Sequence, residues 1–281
     1  MPAILSIQSA VAYGHVGNSA AVFPLQRLGF EVWPVDTVQF SNHLGYGAYR
    51  GTVFPAESVH EVILGIEERG VLPGCAAVLS GYLGDPTLGA AVLDAVARVK
   101  AANPAALWCC DPVIGDVGIG VYVRPGIAEF FRDQALALAD IVTPNLFEAE
   151  FLTGLTIDGA DPALAACAAL RARGPHTVLM TSLPIADDRI GMLASGAEGN
   201  WLVETPLLPM TPSGTGDTVA ALFLAHRLGG ADLATALEAT AASIYEVLRL
   251  TLETGAPEIA LIAAQEALVA PPERFPARRI G

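Results

Sequence analysis

The segment Pro212-Ser213-Gly214-Thr215-Gly216-Asp217 stands directly before an apolar stretch of helical pattern that runs from about residue 218 to 228. Two glycines let a backbone approach a phosphate closely, and the free N–H groups at a helix start favour negative charge. Asp217 falls in the first helical turn, where a carboxylate stays ionised and can accept a proton from an attacking hydroxyl. The motif therefore predicts phosphoryl transfer, with Gly214, Thr215 and Gly216 as an anion hole and Asp217 as the base. The same few letters also suit an ordinary glycine turn, so the context has to decide between the two.

Lysine is nearly absent from this chain. Lys100 is the only one, and it falls inside a predicted helix. The Walker A kinases need a lysine at the end of their phosphate loop, and Schiff-base enzymes need a lysine amine. Both classes are therefore excluded, and a phosphate site in this chain has to rely on backbone N–H groups and a cation.

Polar residues follow the predicted strands at the ends where ligands bind in open parallel sheets. They are Ser9, Asp111 with Asp116, Thr143 with Asn145 and Glu148, and Thr181 with Ser182. Hydroxyl and carboxylate oxygens are the ligands that Mg²⁺ prefers. Taken singly, each residue also suits a helix cap or a loop, but their shared position predicts a site for phosphates and Mg²⁺.

Short apolar segments alternate with helical patterns along the chain, which predicts a parallel sheet covered by helices. The predicted strands are residues 3–8, 31–38, 76–80, 107–110, 140–143 and 177–180, and the helices include 57–69, 86–102 and 162–173. Asp85-Pro86 and Asp161-Pro162 are predicted as the cap and first residue of the last two helices. Segments 37–54 and 190–204 are predicted as extra strands, the second a hairpin turning at 196–199. The fold class is an α/β three-layer sandwich, a mostly parallel central sheet with helices on both faces, in a single domain over residues 1–281.

The chain carries 15 basic and 29 acidic residues, a net charge of −14. Nucleic acids and anionic membranes bind basic surfaces, so neither is an expected partner. The apolar runs fall short of the roughly 20 residues of a membrane-spanning helix, and the N-terminus lacks a signal-peptide pattern, which favours a cytoplasmic protein. Cys75, Cys109, Cys110 and Cys167 have no metal-type spacing and are predicted to be reduced and mostly buried.

The chain resembles the ribokinase superfamily, in which a Gly-Thr-Gly-Asp motif supplies the anion hole and the catalytic aspartate. Within that superfamily it is most similar to the pyridoxal kinases, from about Ile4 to beyond Tyr245. The matching segments are Ser6-Ile7-Gln8-Ser9, Gly17-Asn18, Val38-Gln39-Phe40-Ser41-Asn42-His43, Ser80-Gly81-Tyr82, Cys110-Asp111-Pro112-Val113, Thr143-Pro144-Asn145-Leu146-Phe147-Glu148 and Gly214-Thr215-Gly216-Asp217.

The resemblance implies an ATP-dependent kinase that phosphorylates the 5′-hydroxymethyl group of pyridoxal. Ser9 would hydrogen-bond the pyridine ring, and Val16, Val38, His43 and Tyr82 would line the pocket around it. Five residues would arrange the ATP phosphates with Mg²⁺: Asp111, Asp116, Thr143, Asn145 and Glu148. Two more, Thr181 and Ser182, would contact the nucleotide. K⁺ is left open as a second cation. Asp111 and Glu148 would hold the Mg²⁺, directly or through water. Residues 115–122 would form a lid over the phosphates, and the active species would be a homodimer.

Two positions depart from the family pattern. Leu44 follows His43 where many relatives have a substrate-contacting threonine, and Thr181 stands where some bacterial relatives have a lysine. Two alternatives therefore accompany the main hypothesis. One is a hydroxymethylpyrimidine kinase of thiamine synthesis, against which residues 38–46 argue. The other is a low-turnover B6-binding protein, against which the complete Gly214–Asp217 motif argues.

Overall fold

The segments predicted as strands form the centre of the computed structural model, which describes residues 2–281. In chain order the elements are β1 (Ala3–Val11), α1 (Asn18–Arg27), β2 (Glu31–Phe40), β3 (Gly51–Val53), α2 (Ala56–Glu68), β4 (Cys75–Ser80), α3 (Leu88–Ala102), β5 (Leu107–Cys110), β6 (Gly115–Asp116), β7 (Gly120–Val121), α4 (Ile127–Phe130), β8 (Ile141–Val142), α5 (Leu146–Thr153), α6 (Ala160–Arg171), β9 (Thr177–Ala186), β10 (Arg189–Gly196), β11 (Gly199–Pro206), α7 (Thr215–Leu228), α8 (Leu233–Thr254) and β12 (Arg278–Arg279). Short 3₁₀ turns cover Leu44–Tyr46 and Leu72–Gly74, and a π-helical turn covers Phe131–Ala135.

Ten strands join in one sheet, in the order β12-β11-β10-β9-β8-β5-β4-β1-β2-β3. The six strands from β9 to β2 are parallel to one another, and they correspond to the six predicted strands. The four outer strands are antiparallel to their neighbours. The prediction of a mostly parallel sheet is confirmed.

Each face of the sheet packs against its own set of helices. One hydrophobic cluster joins the sheet to α2, α3, α5 and α6, and the other joins it to α1, α7 and α8. Successive strand residues point to opposite faces, so Cys109 belongs to one cluster and Cys110 to the other. All four cysteines are free and buried, as predicted.

Two helix starts differ from the prediction. Asp85 does accept hydrogen bonds from the N–H and Oγ1 of Thr87, at 3.0 and 2.7 Å, but α3 begins only at Leu88. In contrast, α6 begins at Ala160, ahead of Asp161 and Pro162. The first four N–H groups of a helix have no partner within the helix, so a proline is tolerated throughout the first turn and does not fix its start.

Both segments predicted as extra strands pair with the sheet. The first contains β3, which is antiparallel to β2 through the pairs Val38–Val53 and Phe40–Gly51. The second is the β10–β11 hairpin, whose last pair is Gly196–Gly199, at the predicted turn. Between residues 2 and 281, none of the helices has both the length and the hydropathy needed to cross a membrane.

Candidate active site

The first predicted site residue, Ser9, lies inside β1 because that strand continues to Val11. The register between β1 and β2 shifts between Gln8 and Ala10, so Ser9 occupies a β-bulge. Bulges redirect a side chain at the end of a strand and are common beside active sites. Ser9 is 5% exposed, and its Oγ lies 2.3 Å from the position that a Cβ on Gly17 would occupy.

The Gly214–Asp217 motif forms the start of α7. Gly214 precedes the helix with φ 87°, and a Cβ added there would lie 1.7 Å from the carbonyl oxygen of His15. The N–H and Oγ1 of Thr218 both donate to the carbonyl of Gly214, at 3.0 and 2.8 Å. The N–H groups of residues 215–217 precede this first helical bond, and a Cβ added to Gly216 would meet nothing within 4 Å. The structure thus combines a helix N-terminus with open space beside it, as the anion hole requires.

Asp217 lies close enough to Asp111 to raise the pKa of that carboxyl. Burial raises the pKa of Asp217, while the N–H groups of Gly17 and of Asp217 itself act to lower it. The pKa of Asp111 is raised by burial and by the charge of Asp217, and a 2.8 Å hydrogen bond from Thr143 Oγ1 opposes that rise. Two elements far apart in sequence, β5 and α7, therefore bring two carboxylates to one edge of the sheet.

Asn145 and Glu148 form a capping box at the start of α5. Asn145 Oδ1 accepts from the Glu148 N–H and Glu148 Oε2 accepts from the Asn145 N–H, both at 2.9 Å. Glu148 Oε1 also accepts from the Ile114 N–H, and Asn145 Nδ2 donates to the Gly115 carbonyl, again at 2.9 Å. The pKa of Glu148 is raised by burial and by the charge of Asp111. These two side chains thus fix the first residues of the predicted lid.

The predicted lid is a small hairpin made by β6 and β7. Its turn carries exposed apolar side chains, with Val117 60% and Ile119 71% exposed. Asp116 Oδ1 accepts from the N–H of Val117 at 2.7 Å. At the end of the hairpin, Tyr122 keeps 41% of its surface exposed, and partial desolvation and the charges of the neighbouring carboxylates raise its pKa. The sequence drew attention to this segment through its glycines and gave no sign that Tyr122 faces the carboxylates.

Thr181 and Ser182 continue the same edge on β9. The Thr181 N–H donates to the carbonyl of Pro144 at 3.0 Å, which joins this strand to the loop before α5. Ser182 is the only non-glycine residue with positive φ in residues 2–281, at 60°. That conformation costs about 1–2 kcal/mol, and such strain is concentrated at functional sites.

Three of the residues predicted to line the substrate pocket, Val16, Val38 and Tyr82, belong to one apolar cluster. Val38, Val11 and Phe40 form a small buried cluster, and Val16, Leu44 and Tyr82 pack against it. Thr37 Oγ1 donates to the carbonyl of Tyr82 at 2.8 Å and so holds the Tyr82 backbone against β2. Leu44, the departure from the family pattern, thus belongs to the apolar lining.

His43 contacts a residue that the sequence did not indicate. Its Nε2 lies 3.0 Å from Oε1 of Glu258, which also accepts from the Tyr46 hydroxyl at 2.6 Å. Glu258 lies 215 positions away from His43 and belongs to none of the recognised motifs. A lone glutamate in an otherwise unremarkable segment offered no signal that could have found it.

The only lysine is remote from these residues. Lys100 lies in the last turn of α3 and pairs with Asp140 at 2.7 Å. Asp140 precedes β8 and therefore belongs to the amino edge of the sheet, opposite the candidate site. The site thus contains no lysine.

The donor set at the site fits a Mg²⁺ ion that is brought by a nucleotide. In residues 2–281 no three His, Cys, Asp or Glu side chains are grouped as a metal site made by the protein alone. Asp111 and Glu148, however, are buried carboxylates, and the charge of Asp217 raises the pKa of Asp111 while the charge of Asp111 raises the pKa of Glu148. A nearby cation would relieve that repulsion. Mg²⁺ commonly uses one or two carboxylates together with substrate phosphates and water.

Comparisons with known proteins agree on one family. Residues 73–260 match the family model described as phosphomethylpyrimidine kinase. The chain is 60% identical over 281 residues to pyridoxal kinase PdxY of Rubrobacter xylanophilus, covering 99% of this chain and 97% of that protein. It is 53% identical to PdxY of Leifsonia xyli, covering 99% of each. Pyridoxal kinase from Leishmania donovani in complex with ADP and pyridoxamine superposes with a TM-score of 0.95, at 28% identity over 100% of both chains.

The two glycines at the start of α7 should respond differently to the same substitution. Gly214→Ala places a methyl group against the His15 carbonyl at a positive φ, so we expect a loss of roughly 2–4 kcal/mol in the free energy of unfolding. Gly216→Ala enters open space in the first turn of a helix, so the expected change lies within about 1 kcal/mol of zero. Urea unfolding followed by circular dichroism measures both. Equal destabilisation by the two substitutions would contradict the contact between Gly214 and His15.

Proposed function

The chain belongs to the pyridoxal kinases of the ribokinase superfamily, and we propose that it transfers the γ-phosphoryl group of ATP to the 5′-hydroxymethyl group of pyridoxal. The product is pyridoxal 5′-phosphate, which places the enzyme in vitamin B6 salvage. The observation that carries the proposal is the start of α7, where Asp217 stands beside the N–H groups of residues 215 and 216 and open space lies next to Gly216. This position offers both a base for the alcohol and a binding place for the transferred phosphoryl group.

In the proposed reaction the hydroxyl oxygen forms a bond to the γ-phosphorus while the bond to the β-phosphate bridging oxygen breaks. The hydroxyl proton passes to Asp217, and ADP leaves with the electron pair of the broken bond. Burial raises the pKa of Asp217 and so makes this carboxylate a better proton acceptor than an exposed aspartate. Gly214, Thr215 and Gly216 hold the charge on the transferred group through backbone N–H groups and the dipole of α7.

The nucleotide side of the site is assigned to the edge formed by β5, β8 and β9. Seven residues arrange the phosphates or contact the nucleotide: Asp111, Asp116, Thr143, Asn145, Glu148, Thr181 and Ser182. Mg²⁺ would be held by Asp111 and Glu148 and would neutralise the phosphate charge, with K⁺ as a candidate second cation. Both oxygens of Glu148 already accept backbone N–H groups, which favours contact through a water molecule. The absence of a lysine leaves this neutralisation to the cation and the backbone.

A shallow groove beside this edge suits the nucleotide base. It runs between the β9–β10 turn and the segment leading into α7, which are joined by the 2.8 Å hydrogen bond from Leu207 N–H to the Asp188 carbonyl. Its lining combines apolar and polar side chains, namely Asp187, Asp188, Leu207, Leu208, Pro209, Met210 and Thr211. The lining ends at Thr211, three residues before Gly214, so a base bound in this groove would lie near the anion hole. No motif in the sequence pointed to this groove.

The substrate side of the site is assigned to β1, β2 and the loop after β2. Ser9 would hydrogen-bond the pyridine ring, and Val16, Val38, His43 and Tyr82 would line the pocket. Leu44 packs with this lining and offers no hydroxyl to the substrate. The preference among pyridoxal, pyridoxine and pyridoxamine should therefore depend on Ser9 and His43 more than in relatives with threonine at position 44.

Two other assignments share this machinery. A hydroxymethylpyrimidine kinase would use the same Asp217, and the matching family model carries the phosphomethylpyrimidine kinase description. The packing of Val38 with Tyr82 around the loop after β2 favours pyridoxal, because both residues belong to the segments that match the pyridoxal kinases. A low-turnover B6-binding protein would have no use for a half-buried carboxylate beside an open helix N-terminus.

We also propose that residues 1–281 act as one catalytic domain in a cytoplasmic homodimer. The shared ten-stranded sheet supports one domain, since strands from both ends of the chain take part in it. The side chains of Tyr13, Tyr46 and Tyr49 are exposed aromatic groups. They support the proposal of a homodimer, because a second copy of the chain could cover them.

Substrate choice tests the assignment most directly. Purified protein with MgATP should phosphorylate pyridoxal with a higher kcat/KM than pyridoxine, pyridoxamine or hydroxymethylpyrimidine in a coupled ADP-release assay. Chelation of Mg²⁺ with EDTA should abolish turnover. A preference for hydroxymethylpyrimidine would replace the proposed function with the first alternative, and ATP consumption that pyridoxal does not stimulate would favour the second.

Asp217→Asn tests the base. Asparagine keeps the size of the side chain but cannot take the proton, so kcat should fall by roughly 10²- to 10⁴-fold. The dissociation constant of ATP should stay within about tenfold, because the glycine N–H groups and Mg²⁺ do not depend on this carboxylate. Near-wild-type turnover in Asp217→Asn would transfer the role to another carboxylate, with Asp111 the next to test.

The oligomeric state is tested by light scattering coupled to size exclusion at micromolar concentration. The expected mass is twice the 29.1 kDa of one chain. A single monomeric peak over the whole concentration range would remove the homodimer from the proposal.

A further inference from the structure

The loop between β2 and β3, residues 41–50, carries His43 and is held mainly by its own hydrogen bonds. The Ser41 N–H donates to the Arg50 carbonyl at 2.7 Å, and the Arg50 N–H donates to Ser41 Oγ at 2.9 Å. Asn42 Nδ2 spans the loop to the carbonyl of Ala48 at 2.9 Å. Outside the loop, the side chains of His43 and Tyr46 share one acceptor, Glu258. Tyr13 makes further contacts, through its hydroxyl with Tyr46 and through its N–H, which donates to the Ser41 carbonyl at 2.9 Å.

Glu258 joins that loop to a second one. Oε1 lies 3.0 Å from His43 Nε2 and 2.6 Å from the Tyr46 hydroxyl, while Oε2 accepts from the His15 N–H at 3.1 Å. Its side chain is 11% exposed. A Cβ added to Gly14 would lie 2.3 Å from Oε2, so the carboxylate is in close contact with the backbone of the second loop.

The second loop, residues 14–17, touches the reacting end of the site. The His15 carbonyl lies against Gly214, and the Gly17 N–H faces the carboxylate of Asp217. Ile259, the neighbour of Glu258, also reaches Gly214, with its Cδ1 3.2 Å from the position of an added Cβ. Glu258 therefore connects the loop of the substrate pocket to the loop beside the anion hole and the base.

The hydrogen bonds of His43 define its orientation. Its Nδ1 accepts from the Gly45 N–H at 3.2 Å, so Nε2 carries the proton that Oε1 of Glu258 accepts. Both ring nitrogens are thereby used, and the ring also lies 4.7 Å from the Tyr46 ring. Without Glu258, neither the tautomer nor the ring orientation would be fixed from outside the loop.

We propose that Glu258 is a positioning residue for the alcohol substrate, holding His43 and the loop 41–50 at a fixed place relative to the anion hole and Asp217. The inference rests on the proposed function, because the substrate has to occupy the pocket that His43 lines. Glu258 acts through His43, Tyr46 and the His15 N–H and does not itself take part in the transfer. Its loss should therefore affect the binding of the alcohol far more than the binding of ATP.

Glu258→Gln tests the proposal without changing the volume of the side chain. The amide has one accepting oxygen, so in either orientation its NH₂ group faces a donor, either His15 N–H or the His43 and Tyr46 pair. We expect KM for pyridoxal to rise by about tenfold and KM for ATP to stay within about twofold. Tyr46→Phe, at an exposed position, removes one of the three donors and should raise KM for pyridoxal by a smaller factor. In the double variant the two effects should be less than multiplicative, since both act through one carboxylate.

Limited trypsin digestion reports on the loop independently of activity. Arg50 is exposed and is the only Lys or Arg between Arg27 and Arg69, so cleavage after it yields two recognisable fragments. Release of the loop in Glu258→Gln should speed this cleavage by about threefold or more. Glu266→Gln is the matched control, because Glu266 lies in the same C-terminal segment, is 86% exposed and pairs only with Arg27. It should leave both KM values and the cleavage rate unchanged.

The outcomes separate the two hypotheses. An unchanged KM for pyridoxal in Glu258→Gln, with an unchanged cleavage rate after Arg50, would overturn the positioning role. Equal rises in both KM values with a lower thermal midpoint would overturn it as well, because they indicate general loss of structure. If the wild-type protein phosphorylates none of the tested alcohols, the proposed function fails, and the cleavage rate alone then decides whether Glu258 holds the loop.

Discussion

The contact between the loop 14–17 and the start of α7 is the constraint on which the site depends. Gly214 lies so close to the His15 carbonyl that a side chain at 214 has no room, and a Cβ on Gly17 would lie 2.2 Å from the Ser9 carbonyl oxygen. These two close contacts bring the end of β1 and the start of α7 together, although about 200 residues of sequence separate them. The Gly17 N–H reaches Asp217 only because both glycines lack a side chain. Substrate-side and phosphate-side residues thereby share one packed junction.

The carboxylates at the edge of the sheet form a second, electrostatic constraint. Burial raises the pKa of Asp111, Asp217 and Glu148, and the charge of one neighbour adds to the rise for Asp111 and Glu148. Hydrogen bonds from Thr143 and from backbone N–H groups oppose this effect and keep the groups in place. Such an arrangement is costly for the empty protein and suits one that binds a nucleotide with its cation. The one lysine pairs with Asp140 at the opposite edge of the sheet, so no lysine shares that task.

Several residues whose side chains are assigned chemistry also organise the backbone. Glu148 caps α5 and at the same time holds Ile114 at the start of the hairpin, while Asn145 completes the cap and holds Gly115. Glu258 has the equivalent position on the substrate side, where one carboxylate accepts from two loops. In each case a buried or nearly buried acidic group is satisfied by N–H or O–H donors from segments that would otherwise be independent. Loops around the site are thus tied to the fold by acidic side chains as well as by apolar packing.

The sequence by itself determined the parts of the protein that depend on local pattern. The period of apolar residues predicted the six parallel strands, the hairpin turn at 196–199 and the helix that follows Asp217, and the motif gave the anion hole and the base as predictions. Helix starts were less accurate, because Pro86 and Pro162 are compatible with several positions near a first turn. Tertiary structure alone decided which distant residues meet: Glu258 with His43, Tyr122 with the carboxylates, and the groove from Asp187 to Thr211. Contacts of this kind depend on how strands and loops cross in space, and a chain of residues carries no periodic or compositional trace of them.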